Sequence, residues 1–92
     1  MRLKVNFLKP FSDAVGSREI EEEIDGSSVS DLLDHLVSAY PKLRDELYEE
    51  DGELTDYFII FVNDRPINAL DGIETGLKEG DEVLFFIPIS GG

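Results

Sequence analysis

The chain has no cysteine, no tryptophan, a single methionine and a single histidine. Without thiols it can form no disulfide, thiolate metal centre or Fe–S cluster, and it has no cysteine nucleophile. Cations are scarce as well. Eight Lys and Arg stand against 21 Asp and Glu, giving a net charge of −13 and a pI near 4.1. A field of that sign repels phosphate, which excludes general nucleic-acid binding. It suits a basic partner surface or a proteome adapted to high salt, and it also serves solubility. Long apolar runs are missing too. Tyr57–Val62, at six residues, is far short of a membrane span. The opening MRLKVNFLKPF is interrupted by Lys4, Asn6 and Lys9, so it lacks the apolar stretch of a secretory signal. A soluble cytoplasmic protein, monomeric on its own, is expected.

Catalytic and cofactor motifs are equally sparse. His35, the one histidine, is expected on the solvent side of a helix, paired with Asp31 one turn earlier. No serine stands in a recognisable nucleophile–histidine arrangement. Neither GxGxxG nor GxxxxGK[ST] occurs, so the chain has no nucleotide cradle of its own, and Gly72, Gly76 and Gly80 read as turn residues. Glu49, Glu50, Asp51, Glu53 and Asp56 lack the spacing of a calcium loop and read as a solvated acidic stretch, so no metal site is expected. An enzyme acting alone is the weakest reading.

What is present is patterned. Leu3, Val5 and Phe7 alternate with Arg2, Lys4 and Asn6, the period of a half-buried strand. Pro10 breaks it, and Phe11–Val15 is expected to make a short helical turn. A second strand fits Arg18–Ile24, with Ile20 and Ile24 inward and Glu19, Glu21 and Glu23 outward, completing a hairpin. Ser28-Val29-Ser30-Asp31 resembles a capping box that opens a helix. Val29, Leu32, Leu33, Leu36, Val37 and Tyr40 form its apolar stripe, and Pro41 ends it. Lys42–Glu49 fits a second, shorter helix with Leu43 and Leu47 inward. A strand at Tyr57–Val62, a turn at Asn63-Asp64-Arg65-Pro66, a short strand near Ile67 and a last strand at Glu82–Pro88 follow. The pattern predicts one α+β domain over 1–92. A mixed sheet of four to five strands is covered on one face by the main helix and the short second one. The first and last strands are neighbours at the centre.

With Leu3, Val5 and Phe7 facing the helix, alternation sends Phe58, Ile60, Val62, Val83, Phe85 and Ile87 inward as well. Leu8, Ile59, Phe61, Leu84 and Phe86 then share the opposite face, with no second helical layer to cover them. An exposed apolar cluster of this kind marks a partner site. Pro88 stands beside it, and 88–92 is expected to be an extended, flexible tail ending in Ser90-Gly91-Gly92. Glycine lets other groups approach closely, so a Gly-Gly carboxylate can thread a narrow channel and be activated by another enzyme.

Residues 77–92, LKEGDEVLFFIPISGG, resemble the ends of molybdopterin synthase small subunits and small archaeal modifier proteins, with the pattern L-x-x-G-D-E-[VL]-x-x-F-P-P-[VI]-[ST]-G-G. Leu77, Gly80, Asp81, Glu82, Val83, Phe86, Pro88, Ile89, Ser90, Gly91 and Gly92 match, and Ile87 replaces the first proline. The helix SSVSDLLDHLVSAYP and the FVND segment are also similar to their counterparts. The resemblance implies the ubiquitin-like β-grasp fold. It implies a Gly92 that a ubiquitin-activating-type enzyme adenylates with ATP and Mg²⁺, the chain itself binding no cofactor. The adenylate then becomes a thiocarboxylate, donating sulfur for molybdenum cofactor or tRNA thiolation, or it is joined by an isopeptide bond to lysines of target proteins. Implied partners are the activating enzyme, the molybdopterin synthase large subunit and target lysines, with Phe86 and its apolar neighbours as interface. A dedicated molybdopterin synthase small subunit is the nearer alternative, and the 41–56 region and the acidity favour the archaeal modifiers. Of the lysines Lys4, Lys9, Lys42 and Lys78, Lys4 is expected on the exposed sheet face as a possible isopeptide acceptor. The rival from another class is an acidic binding module with no terminal chemistry.

Overall fold

A computed structural model describes residues 1–88. Five strands are present: β1 (Arg2–Phe7), β2 (Glu19–Glu23), β3 (Ile59–Val62), β4 (Arg65–Pro66) and β5 (Glu82–Phe86). The helices are α1 (Phe11–Val15), α2 (Val29–Ala39) and α3 (Pro41–Leu47), and 3-10 turns lie at Ile67–Ala69 and Gly72–Glu74. The sheet order is β2-β1-β5-β3-β4. β1 and β5 run parallel at its centre, and the other neighbours are antiparallel.

Strand alternation decides what is core. Leu3, Val5, Phe7, Phe58, Ile60, Val62, Val83 and Phe85 are all buried on the helix side. Val29, Leu32, Leu33 and Leu36 of α2 and Leu43 and Leu47 of α3 meet them there. Phe11 is fully buried at the start of α1 and joins Phe7, Phe58 and Phe85 in an aromatic cluster, with ring centroids 5.2–6.1 Å apart in the contacts Phe7–Phe85, Phe11–Phe58, Phe11–Phe85 and Phe58–Phe85. Offset and edge-on packing at such spacings adds to simple burial.

The start of α2 is the expected capping box. Asp31 N–H donates to Ser28 Oγ, and the Asp31 carboxylate accepts from Ser28 N–H in return. That carboxylate also accepts from Ser27 N–H at 2.8 Å and Ser28 Oγ at 3.0 Å. Gly26 is needed for this closure. Its φ is +126°, and a Cβ there would lie 2.7 Å from the Asp31 side chain. The Ser27 N–H, then the Ser28 donors, hold the Asp31 carboxyl below the ordinary aspartate range. A carboxylate depressed on folding contributes stability above its unfolded pKa, and this is lost as pH falls through its folded pKa. Asp31→Ala is therefore expected to lower Tm most at neutral pH, with the gap to the parent closing as pH drops below the ordinary aspartate range. Thermal melts across an acid series check this, and a gap independent of pH would contradict it.

Several sequence expectations shift. The strand expected around Ile67 is instead Arg65–Pro66, and Ile67 begins a 3-10 turn. Asn63 and Asp64 adopt left-handed φ of 50° and 70°, forming a tight two-residue hairpin that brings the chain back at once onto Val62. β2, β3 and β5 are shorter than expected, at Glu19–Glu23, Ile59–Val62 and Glu82–Phe86. Pro41 does not merely follow α2; it occupies the first turn of α3, where its missing N–H costs nothing.

His35 is the clearest correction. Its partner is Glu22, with Nε2 3.1 Å from Oε2, and Asp31 is committed to the cap. Glu22 shares the inward face of β2 with Ile20 and Ile24, so it points toward α2. Tyr40 Oη donates to its other oxygen at 2.8 Å, which pushes the Tyr40 phenol above its usual range.

Candidate functional site: the open sheet face at the root of the carboxyl terminus

β5 lies between β1 and β3, with Val83 and Phe85 fully buried, so the segment that leads to the carboxyl terminus is rooted in the centre of the core. The start of β5 is tied down by side chains. Asn63 Nδ2 donates to Asp81 Oδ1 and Glu82 N–H donates to Asn63 Oδ1, both at 2.9 Å. Lys78 N–H donates to Asp81 Oδ2 at 2.8 Å. Gly80, at φ +85°, turns the chain into the strand and donates to the Arg2 carbonyl at 2.8 Å. The Gly-Asp-Glu motif thus acts as an anchor for β5, with Asn63, in the turn between β3 and β4, as its partner.

On the face away from the helices, Ile59 pairs with Phe86, Phe61 with Leu84, and Phe61 with Pro66. The rings of Phe61 and Phe86 meet edge-on, with centroids 5.9 Å apart. β1 and β5 align Phe7 with Phe85, so one step further Leu8 comes beside Phe86. Leu8 is 44% exposed, while Ile59, Phe61, Leu84 and Phe86 are half-buried and Pro88 is exposed. Phe86 therefore lies between Leu8 and Ile59, within two residues of Pro88. Pro66 completes the patch. Sequence reading missed it because its membership depends on the hairpin register; two left-handed-tolerant residues before it were the available signal.

Toward β2 the same face becomes charged. Lys4 is half-buried there, and the register places it between Glu21 and Glu82. Asn6 Nδ2 lies 3.5 Å from Glu82 Oε2. Among the described residues no group of His, Asp or Glu is placed to hold a metal ion, and no helix is long and apolar enough to cross a membrane. Ser90, Gly91 and Gly92 lie outside the described residues.

Residues 5–92 match the ThiS family. The chain belongs to that family. Small archaeal modifier protein 3 of Haloferax volcanii is 36% identical to this ThiS-family chain, with the whole of both chains aligned. A putative sulfur carrier protein of Archaeoglobus fulgidus is 34% identical, again over the whole of both. The crystal structure of SAMP1 from Haloferax volcanii superposes with a TM-score of 0.84 and 30% identity, covering 100% of each chain. The ubiquitin-like β-grasp fold implied by the terminal motif is thus that of this ThiS-family chain. These two relatives are named as a modifier and as a putative sulfur carrier.

Proposed function

We propose that this chain is a carrier whose reacting group is the carboxylate of Gly92, activated by a separate ubiquitin-activating-type enzyme. The carboxylate oxygen attacks the α-phosphorus of Mg²⁺-bound ATP and expels pyrophosphate, leaving an acyl adenylate. Hydrosulfide then attacks the acyl carbon and displaces AMP to leave a thiocarboxylate, or a lysine amine attacks it, displacing AMP and releasing a proton, to leave an isopeptide bond. The observation that carries this reading is the Gly91-Gly92 pair following a ThiS-family β5 that is rooted in the core. The patch around Phe86 is the docking surface for the activating enzyme, and the molybdopterin synthase large subunit is a further candidate to receive the thiocarboxylate. A modifier and a sulfur carrier at similar identity support keeping both fates.

Intact-mass analysis of the protein recovered from its own cells tests the reading. Replacement of one oxygen by sulfur is expected for a carrier, and Gly-Gly branches on lysines of other proteins for a modifier. Finding neither overturns it. Among this chain's own lysines Lys4 is the least accessible acceptor, since it sits half-buried between two carboxylates. Lys9 is held only by an exposed contact of 3.7 Å to Asp13. Any branch between copies is therefore expected on Lys9 before Lys4, and peptide mapping reads the ratio.

A further inference from the structure

We propose that the outer edge of β2 is a docking strand for an extended segment of a partner protein bearing Lys or Arg at every second position. The partner strand would add to the sheet beyond β2, independently of the chemistry at Gly92.

The register decides which backbone groups are available. Met1 and Ile24 exchange both hydrogen bonds, N to O at 2.8 and 2.9 Å, and Phe7 N–H donates to the Arg18 carbonyl at 2.7 Å. In an antiparallel pair such bonded positions alternate with non-bonded ones. Leu3↔Glu22 and Val5↔Ile20 are therefore the bonded pairs, and Glu19, Glu21 and Glu23 turn their N–H and C=O groups outward. Ser17 Oγ occupies both groups of Glu19, donating to its carbonyl at 2.8 Å and accepting its N–H at 3.3 Å. Among the described residues nothing reaches the N–H or C=O of Glu21 and Glu23. Two donors and two acceptors thus stand in line for an added strand. The opposite edge of the sheet offers no comparable template, since β4 is two residues long and one is proline.

Charge selects the occupant. The side chains flanking the open groups are Glu19, Glu21 and Glu23, on the face away from the helices, and all three are exposed. Arg2 reaches Glu21 only at 4.0 Å, and the Met1 amino group sits 2.8 Å from Glu23, both approaching from the β1 side. A second copy is repelled. Edge-to-edge pairing would set Glu19, Glu21 and Glu23 of each copy against the other, between chains that each carry −13. A strand with basic residues at alternate positions places them beside the carboxylates. Its other side chains fall over Ile20 and the Glu22–His35 pair. Added-strand recognition of this kind takes affinity from the backbone and selectivity from alternate side chains.

The test titrates the ¹⁵N-labelled full chain, at physiological salt, with an acetylated and amidated peptide of alternating lysine and valine, seven residues long. The expected result is shift changes centred on 19–25 and slowed hydrogen exchange at the amides of Glu21 and Glu23. A peptide with the same residues in two blocks should bind about tenfold more weakly, because its lysines cannot all share one face. Glu21→Pro removes an outward N–H without touching the β1 ladder and should weaken binding by about tenfold, the worth of one good hydrogen bond. No binding, equal binding of the block peptide, or shifts centred on 49–56 without amide protection would each overturn the proposal. So would protection of the same amides by raised protein concentration alone, which would mean a second copy. If Glu21→Pro fails to fold, amide protection in the unaltered chain decides.

Discussion

Phe85→Ala is expected to cost about 3–5 kcal/mol of folding stability, a large fraction of what a chain of this size has. Phe85 is fully buried and touches the rings of Phe7, Phe11 and Phe58, so its removal leaves a cavity whose walls belong to β1, α1 and the residue preceding β3. Those walls cannot close in, because β5 is hydrogen-bonded on both sides. Its neighbour should behave oppositely. Phe86 points to the open face, half-buried beside Phe61, and Phe86→Ala should cost about 1 kcal/mol or less. An aromatic at the centre of a docking patch typically carries about 2 kcal/mol of binding, close to a 30-fold loss in affinity for the activating enzyme. Denaturant melts and affinity measurements on the two variants check both halves. A Phe86→Ala protein that stays folded and binds the activating enzyme as tightly as the parent would remove the patch from the proposed interface.

Removal of Gly91 and Gly92 is expected to reduce adenylation by at least about 100-fold while leaving Tm unchanged. The shortened chain still ends in a carboxylate, now on Ser90, so the loss has to come from reach and access. Two extended residues span roughly 7 Å. Misplacing a reacting atom by even 1 Å can cost about 10²-fold. Ser90 also brings a side chain where a narrow channel accepts glycine. Stability should be spared because, among the described residues, every core side chain precedes residue 88. Pyrophosphate release with the cognate enzyme and ATP measures the effect. Undiminished release by the shortened chain would refute the role given to Gly91 and Gly92, and no release by either chain would favour an acidic binding module. Loss of release with normal peptide binding at β2 would leave the docking-strand proposal standing on its own.

Both predictions draw on features legible in the chain itself. Period-two alternation sorted Phe85 from Phe86 and Leu84 from Val83, because a strand's side chains go to opposite faces whatever it pairs with. The capping box at Ser28 was legible for the same reason: every group it joins lies within five residues. The Gly-Asp-Glu motif and the terminal glycines were visible as residues, although the grip of Asn63 on Asp81 was not.

What depended on pairing across long stretches of chain had to wait for the tertiary structure. Pro66 joins the apolar patch only because the Asn63-Asp64 hairpin sets it opposite Phe61. Glu22 meets His35 and Tyr40 only because β2 lies alongside α2, which turned an expected local pair with Asp31 into a contact between elements. Lys4, expected to be open, is flanked by carboxylates from strands 17 and 78 residues further along the chain, at Glu21 and Glu82. The outward-facing amides of β2 follow from its register with β1. Local periodicity determines which face a side chain takes. Only the partner strand decides what lies across from it and which backbone groups stay unpaired.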